Sequence, residues 1–181
     1  MPPSPRRHDP DRRARIVRAA LDVIAEHGVA GTTHRRIAAA ADVPLGSMTY
    51  HFAGIDEVLT EAFTLLADTV AGRFTDRLSA ASTLDDACEA VVDLVVDESW
   101  ATPRTLLLSY ELYAFAGRNP ALRSVMQAWM GKSRAALGQH FPADTARALD
   151  AMIEGLTLHR SVDARPADRD EVRAIVRRLA R

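Results

Sequence analysis

The sequence predicts an all-α protein of about nine helices, a small N-terminal three-helix unit followed by a larger helical domain. Three observations predict it. Apolar residues recur at helical spacing through most of the 181 residues. No stretch combines strand alternation with hairpin turns, and no internal repeat is visible. Two short segments joined by a tight turn follow a longer helical segment, the helix-turn-helix pattern.

The totals narrow the function classes. Apolar content of 48% is ordinary for a globular chain and supports a real core. No run of 18 or more apolar residues marks a membrane span, and the opening "MPPSPRR" is not followed by the apolar stretch of a leader. A single cysteine, Cys88, excludes an internal disulfide and offers no metal cluster. A reduced, cytoplasmic setting is expected, with no membrane partner, cofactor or metal. Net charge is −1, but residues 1–52 carry eight Arg against five Asp and Glu, a balance of +3. The remaining residues balance at −4, so an anionic partner would meet the N-terminal part.

The elements follow in order. Residues 1–8, rich in Pro and basic residues, read as a disordered tail. Asp9 and Pro10 suit the start of a first helix, and Gly28 suits its end. Between them Ile16, Ala20, Val23, Ile24 and His27 share one face. Thr33 suits the N-cap of a short helix through Ala40 or Ala41. Asp42 tolerates the unusual backbone angles of the turn, and Pro44 opens a second short helix. Ile37, Ala41, Val43, Met48 and Phe52 are expected to pack on the first helix. Further helices are expected over about 55–80, 83–101, 103–118, 121–140, 144–162 and 168–180. "LLLSYELYAF" is apolar nearly all round, so the helix at 103–118 should be buried.

The chemistry concentrates in "VPLGSMTYHF", residues 43–52. A helix that lies in a DNA major groove about 12 Å wide cannot be bulky or acidic on its outer face. This segment has no carboxylate. Gly46 allows close approach, Ser47, Thr49, Tyr50 and His51 can reach phosphates, and Leu45 or the Thr49 methyl can touch a thymine methyl. The preceding short helix offers the N–H groups of its first turn with Thr32, Thr33, His34, Arg35 and Arg36. Arg6, Arg7, Arg12 and Arg13 could reach an adjacent minor groove, or belong to a solvated end.

At these residues, "RIVRAALDVIAEHG…TTHRRIAAAADVPLGSMTYHF…IDEVL", the chain resembles the TetR family of transcriptional repressors. The resemblance is close over residues 11–60 and one of layout beyond them. It implies a DNA-binding domain at 9–54 and a helical effector-binding and dimerisation domain at 55–181. The expected function is a homodimeric repressor released from a double-stranded DNA operator by a small-molecule effector. Carried over by position, Thr33 and His34 match the phosphate-contacting helix start, and Pro44, Leu45, Gly46, Ser47, Thr49, Tyr50 and His51 match the recognition segment. Three positions depart from the pattern: Asp42 replaces a frequent Gly, Met48-Thr49 a usual Leu-Tyr pair, and Ile55 a common Lys. The last two remove phosphate contacts, which predicts weaker nonspecific affinity or compensation by Arg35, Arg36 or the tail. Each lost phosphate charge lowers the salt slope by roughly one unit.

For an effector pocket, Glu111 stands out as a carboxylate within an apolar run, either lining a cavity or occupying the one exposed stripe. Phe63, Leu66, Trp100, Tyr110, Tyr113, Met126, Trp129 and Met130 are candidate walls, or simply core. By resemblance the last two helices form a four-helix bundle with their mates, through Leu149, Met152, Ile153, Leu156 and His159 and through Val172, Ile175, Val176 and Leu179. An enzyme on a helical bundle would need converging nucleophiles, bases or metal ligands, and six scattered His with one Cys supply none. An adaptor whose helix-turn-helix has lost DNA binding is the remaining alternative.

Overall fold

The structure is a computed structural model, and it describes residues 11–97, 99–100 and 102–181. Among the described residues there are nine helices and no strand. None of those helices is long and apolar enough to cross a membrane. The chain divides into two compact units, Met1–Leu65 and Leu66–Arg181.

In the first unit, α1 (Arg12–Gly31), α2 (His34–Ala40), α3 (Gly46–His51) and the start of α4 (Ile55–Ser79) enclose a small core. The expected cap Asp9 and Pro10 lie outside the described residues, and α1 instead follows Asp11, whose side chain makes no capping bond. Gly28 breaks α1 as its type demands, with φ 67° and ψ 169°. Ile16, Ala20, Val23 and Ile24 are buried, whereas His27 is exposed beside Glu26. Thr33 caps α2, its Oγ1 accepting from the Arg36 N–H at 3.3 Å.

The α2–α3 turn rests on Asp42, at φ 51°, the one non-glycine residue of positive φ among those described. The Val43 N–H donates to Ala38 O at 3.0 Å and the Asp42 N–H to Ala39 O at 3.2 Å. That pair of bonds is the Schellman motif, with Asp42 in the place glycine usually fills. Arg15 Nε also donates to Ala41 O at 3.1 Å, satisfying a carbonyl the helix end leaves open. Pro44 and Leu45 form the turn ahead of α3, and Met48 and Phe52 turn inward to the core.

The second unit is built from the rest of α4 with α5 (Leu84–Val96), α6 (Pro103–Ala116), α7 (Pro120–Leu137), α8 (Ala143–Arg160) and α9 (Arg169–Leu179). Starts are written locally: Thr83 with Asp86 and Asp168 with Glu171 form capping boxes, while Asn119 accepts from the Ala121 and Leu122 N–H groups ahead of Pro120. α5 packs on α9 and α8, α6 on α7, and α7 on α8. α5 ends at Val96, ahead of the expected end at 101. The helix expected to be wholly buried, α6, buries only Leu108, Leu112 and Ala116, and leaves Leu107 and Tyr113 exposed. An ion-pair network adds to the apolar core: Arg173 Nε meets Glu89 at 2.6 Å, Arg169 meets Asp93 at 2.6 Å, and Arg77 of α4 also pairs with Asp93. The Arg173 hydrogen bond holds the Glu89 carboxyl below its usual range.

Candidate nucleic-acid interface and effector cavity

The outward face of α3 is uncharged and polar. Tyr50 is 82% exposed and Leu45 50%, and Gly46 and Thr49 are exposed beside them. Thr49 Oγ1 donates to Gly46 O at 3.2 Å, a bond that settles the hydroxyl on the helix. A Cβ built on Gly46 meets nothing within 4 Å, so no contact inside the chain requires glycine there. His51 is half-buried, its ring edge-on to Tyr50 with centroids 4.8 Å apart.

Two expected contacts turn inward. Ser47 is only 8% exposed, on the core side of α3 beside buried Met48, and its N–H donates to Pro44 O at 2.8 Å. Thr32 is buried, its hydroxyl donating to Gly28 O at 2.8 Å and closing the end of α1. In α2, Thr33, Arg35 and Arg36 are exposed, and Arg36 Nη1 donates to Gly31 O. His34 is half-buried, with an Nε2 that is buried and has no hydrogen-bond partner among the described residues.

Arg13 does not reach outward with the tail. It pairs with Glu57 at 2.7 Å and with Glu61, donates to His51 O, and stacks over Phe52 with 4.3 Å to the ring centroid. One guanidinium thus holds α1, the C-terminal end of α3 and the first two turns of α4 together. The hydrogen bonds that Arg13 donates to Glu61 and Glu57 raise its pKa above the usual value. The Ala53 N–H and then Arg13 lower that of Glu57. Arg6 and Arg7 lie outside the described residues.

In the second unit, an inner cavity of about 70 Å³ is walled by α4, α5, α6, α7 and α8 together with Trp100. Trp100, Tyr110 and Trp129 of the expected set line it. Phe63 and Leu66 are buried in packing, and they, Glu111, Tyr113, Met126 and Met130 are not among its walls. α6 turns Thr105, Leu106, Ser109 and Tyr110 to the cavity, and Glu111 lies off that face, half-buried. The cavity's carboxylates are instead Asp150 and Glu154, one turn apart on α8. Their signal was present in the sequence, as acids at i and i+4 set within the apolar stripe Leu149, Ile153 and Leu156. Asp150 accepts from Arg134 Nε at 2.8 Å, yet burial still pushes its carboxyl upward. Glu154 lies beside Tyr113 and has no cation partner among the described residues. Glu154 lines the cavity but keeps exposed surface, and the protein around it, with help from Asp150, raises its carboxyl above the usual range.

Of the expected dimer contacts, Leu149, Val172 and Val176 have no exposed surface in a single chain, and Ile153 is buried against the same core. Met152, Leu156, Ile175 and Leu179 keep part of their surface, and His159 is exposed. Four of the nine expected contacts, Leu149, Ile153, Val172 and Val176, are therefore intramolecular core, packed where α8 and α9 meet α5.

The sequence profile of the bacterial regulatory proteins of the tetR family matches residues 16–62, and that of the tetracyclin repressor-like C-terminal domain matches residues 82–181. The chain belongs to the TetR family of transcriptional regulators. Its α2–α3 pair is the family's DNA-binding helix-turn-helix. The TetR-family chain is 26% identical over 178 residues to the HTH-type transcriptional regulator BetI 1 of Chromohalobacter salexigens, covering 92% of this chain and 87% of that protein. Its fold matches the crystal structure of SCO7518 from Streptomyces coelicolor A3(2) with a TM-score of 0.90 at 49% identity, over 94% of this chain and 99% of that one. It also matches the multidrug binding protein EbrR complexed with ethidium, with a TM-score of 0.80 at 35% identity, over 95% of this chain and 99% of that one.

Proposed function

We propose that this TetR-family regulator is a homodimeric repressor that a small molecule releases from its operator. The observation that carries the DNA half is the outer face of α3, where Leu45, Gly46, Thr49 and Tyr50 stand exposed with no carboxylate among them. Apolar and hydroxyl groups there suit thymine methyls and phosphates, and Thr33, Arg35 and His51 add donors at the rim. Residues 9–54 supply the reading head and 55–181 the sensing and dimerising part, in a cytoplasmic protein.

The effector half rests on the aromatic, carboxylate-bearing cavity and on the ethidium complex of the related EbrR. Dimerisation would use the surface that α8 and α9 retain: Met152, Leu156 and His159 with Ile175 and Leu179. Gly155 lies in that stripe with open space where a Cβ would be, which favours close helix approach. Two recognition helices must stand roughly 34–36 Å apart to enter successive major grooves. An effector that binds better to a differently spaced dimer lowers DNA affinity by that difference.

Selection of bound duplexes from genomic DNA, followed by gel shift on the enriched site, tests the reading. Enrichment of a two-fold symmetric site near the protein's own gene is expected; no enrichment over nonspecific DNA overturns it. Light scattering at micromolar concentration should give twice the 19.8 kDa chain mass, and a monomer would refute the dimer.

A further inference from the structure

Both short helices of the helix-turn-helix end on an arginine of α1. Arg15 Nε donates to Ala41 O at the end of α2, at 3.1 Å. Arg13 Nη1 donates to His51 O at the end of α3. A six-residue helix has little stability of its own, and its last carbonyls find no partner inside it. A guanidinium at that end meets both an open acceptor and the negative pole of the helix. Met48 and Phe52 anchor α3 in the core. Apolar contact is non-directional, so these anchors fix the depth of α3 better than its angle. The bond to His51 O is directional.

The same guanidinium is fixed from its other side. Nη2 meets Glu57 Oε1 at 2.7 Å, Nε and Nη2 both donate to Glu61, and the group lies over the Phe52 ring. Glu57 accepts from the Ala53 N–H at 2.6 Å with its other oxygen, which fastens the link between α3 and α4. One cluster thus holds His51, Phe52 and Ala53 in succession. One Arg and two Glu (+1 and −2) give it a formal charge of −1. A cluster of that sign repels phosphate, so any part it has in DNA binding is mechanical.

We propose that Arg13 is a positioning residue for operator recognition: it touches no DNA, and by holding His51 O against Glu57 and Glu61 it sets the angle at which α3 presents Leu45, Thr49 and Tyr50. This rests on the reading of the outer face of α3 as the operator-reading surface. Specific binding needs base edges met at contact distance, whereas nonspecific binding needs only charge near phosphates. Loosening the clamp therefore removes discrimination first.

The test uses the full chain, the duplex enriched in the genomic selection and a scrambled duplex of the same length, titrated across a salt series. Arg13→Gln removes one positive charge, and Glu57→Gln combined with Glu61→Gln removes two negative ones. Charge alone would move DNA affinity in opposite directions. The clamp predicts one direction: the ratio of enriched to scrambled affinity should fall at least about tenfold in both, the worth of one charge-assisted hydrogen bond. Arg13→Lys keeps the charge without the planar fork and should fall between Arg13→Gln and the parent. Arg13→Gln should leave the salt slope on the scrambled duplex unchanged. The clamp's side chains are 35–40% exposed, so the unit should stay folded without it, as circular dichroism would show. If Arg13→Gln does not fold, the other two variants decide by the same ratio. Equal loss on both duplexes, with a slope shallower by about 0.9, would make Arg13 a phosphate contact and overturn the proposal. So would an unchanged ratio in Arg13→Gln or in the combined glutamate variant. A parent chain that selects no duplex sinks the operator reading itself. A parent that selects one, with variants that keep its ratio, sinks this inference alone.

Discussion

The two units handle charge in opposite ways. The first ties its most constrained cation, Arg13, inside the unit to Glu57 and Glu61 and presents an uncharged hydroxyl and apolar face on α3. The second sets two acids at its cavity wall, Asp150 buried and paired with Arg134, and Glu154 exposed with no cation partner among the described residues. A reading head meets a partner that is the same polyanion everywhere, so its surface must be smooth and its scaffold rigid.

The largest effect that would sharpen this contrast comes from the rigid scaffold. Met48 is fully buried on the inner side of α3, so Met48→Ala should cost about 2–5 kcal/mol and abolish operator binding. Denaturant unfolding and gel shift read both; retained binding would show that α3 does not need its anchor. Next is the outer face. Tyr50→Ala should weaken operator binding by about tenfold, one charge-assisted phosphate contact. Its stability should hold within about 0.5 kcal/mol, as at other exposed sites. A stability loss without a binding loss would make Tyr50 structural.

Asp42→Gly should then stabilise the first unit by about 1 kcal/mol, the cost of a side chain at positive φ, measured as a higher denaturant midpoint with unchanged DNA affinity. The smallest effect belongs to the cavity. Glu154 has a folded pKa above its unfolded value, so its charged form opposes folding as pH rises past the ordinary carboxylate range. Glu154→Gln keeps the size of the side chain and cannot ionise. Solvent screens this exposed carboxyl, so the variant should melt at most about a degree above the parent at pH 7, and the two should converge below about pH 4, under the usual glutamate value. A gap that persists in acid would place the effect in packing instead.

The helix-turn-helix was readable in the sequence because its signals are local. Pro44, Gly28, Thr33 and Asp42 each act on their own backbone, and each sits where its chemistry predicts. The same holds for Thr83, Pro103 and Asn119 at the starts of α5, α6 and α7. The cavity was less readable because its walls come from five helices, and facing is a property of packing. Glu111 drew attention by its apolar neighbours in sequence, yet α6 rotates it off the cavity face. Arg13 was read as part of a basic arm because its two carboxylate partners lie 44 and 48 residues away. Ser47 was read as outward because a six-residue helix leaves too few positions to fix its phase.

The Arg13 clamp has a consequence for anyone rewiring such regulators. A chimera cut at residue 54 would leave Arg13 on one parent and Glu57 and Glu61 on the other. Two foreign side chains would then decide whether the end of α3 is held. A graft that carries the first two turns of α4, through Glu61, brings the fastening along with the part it fastens. In this chain the portable module ends inside a helix, where no loop advertises the seam.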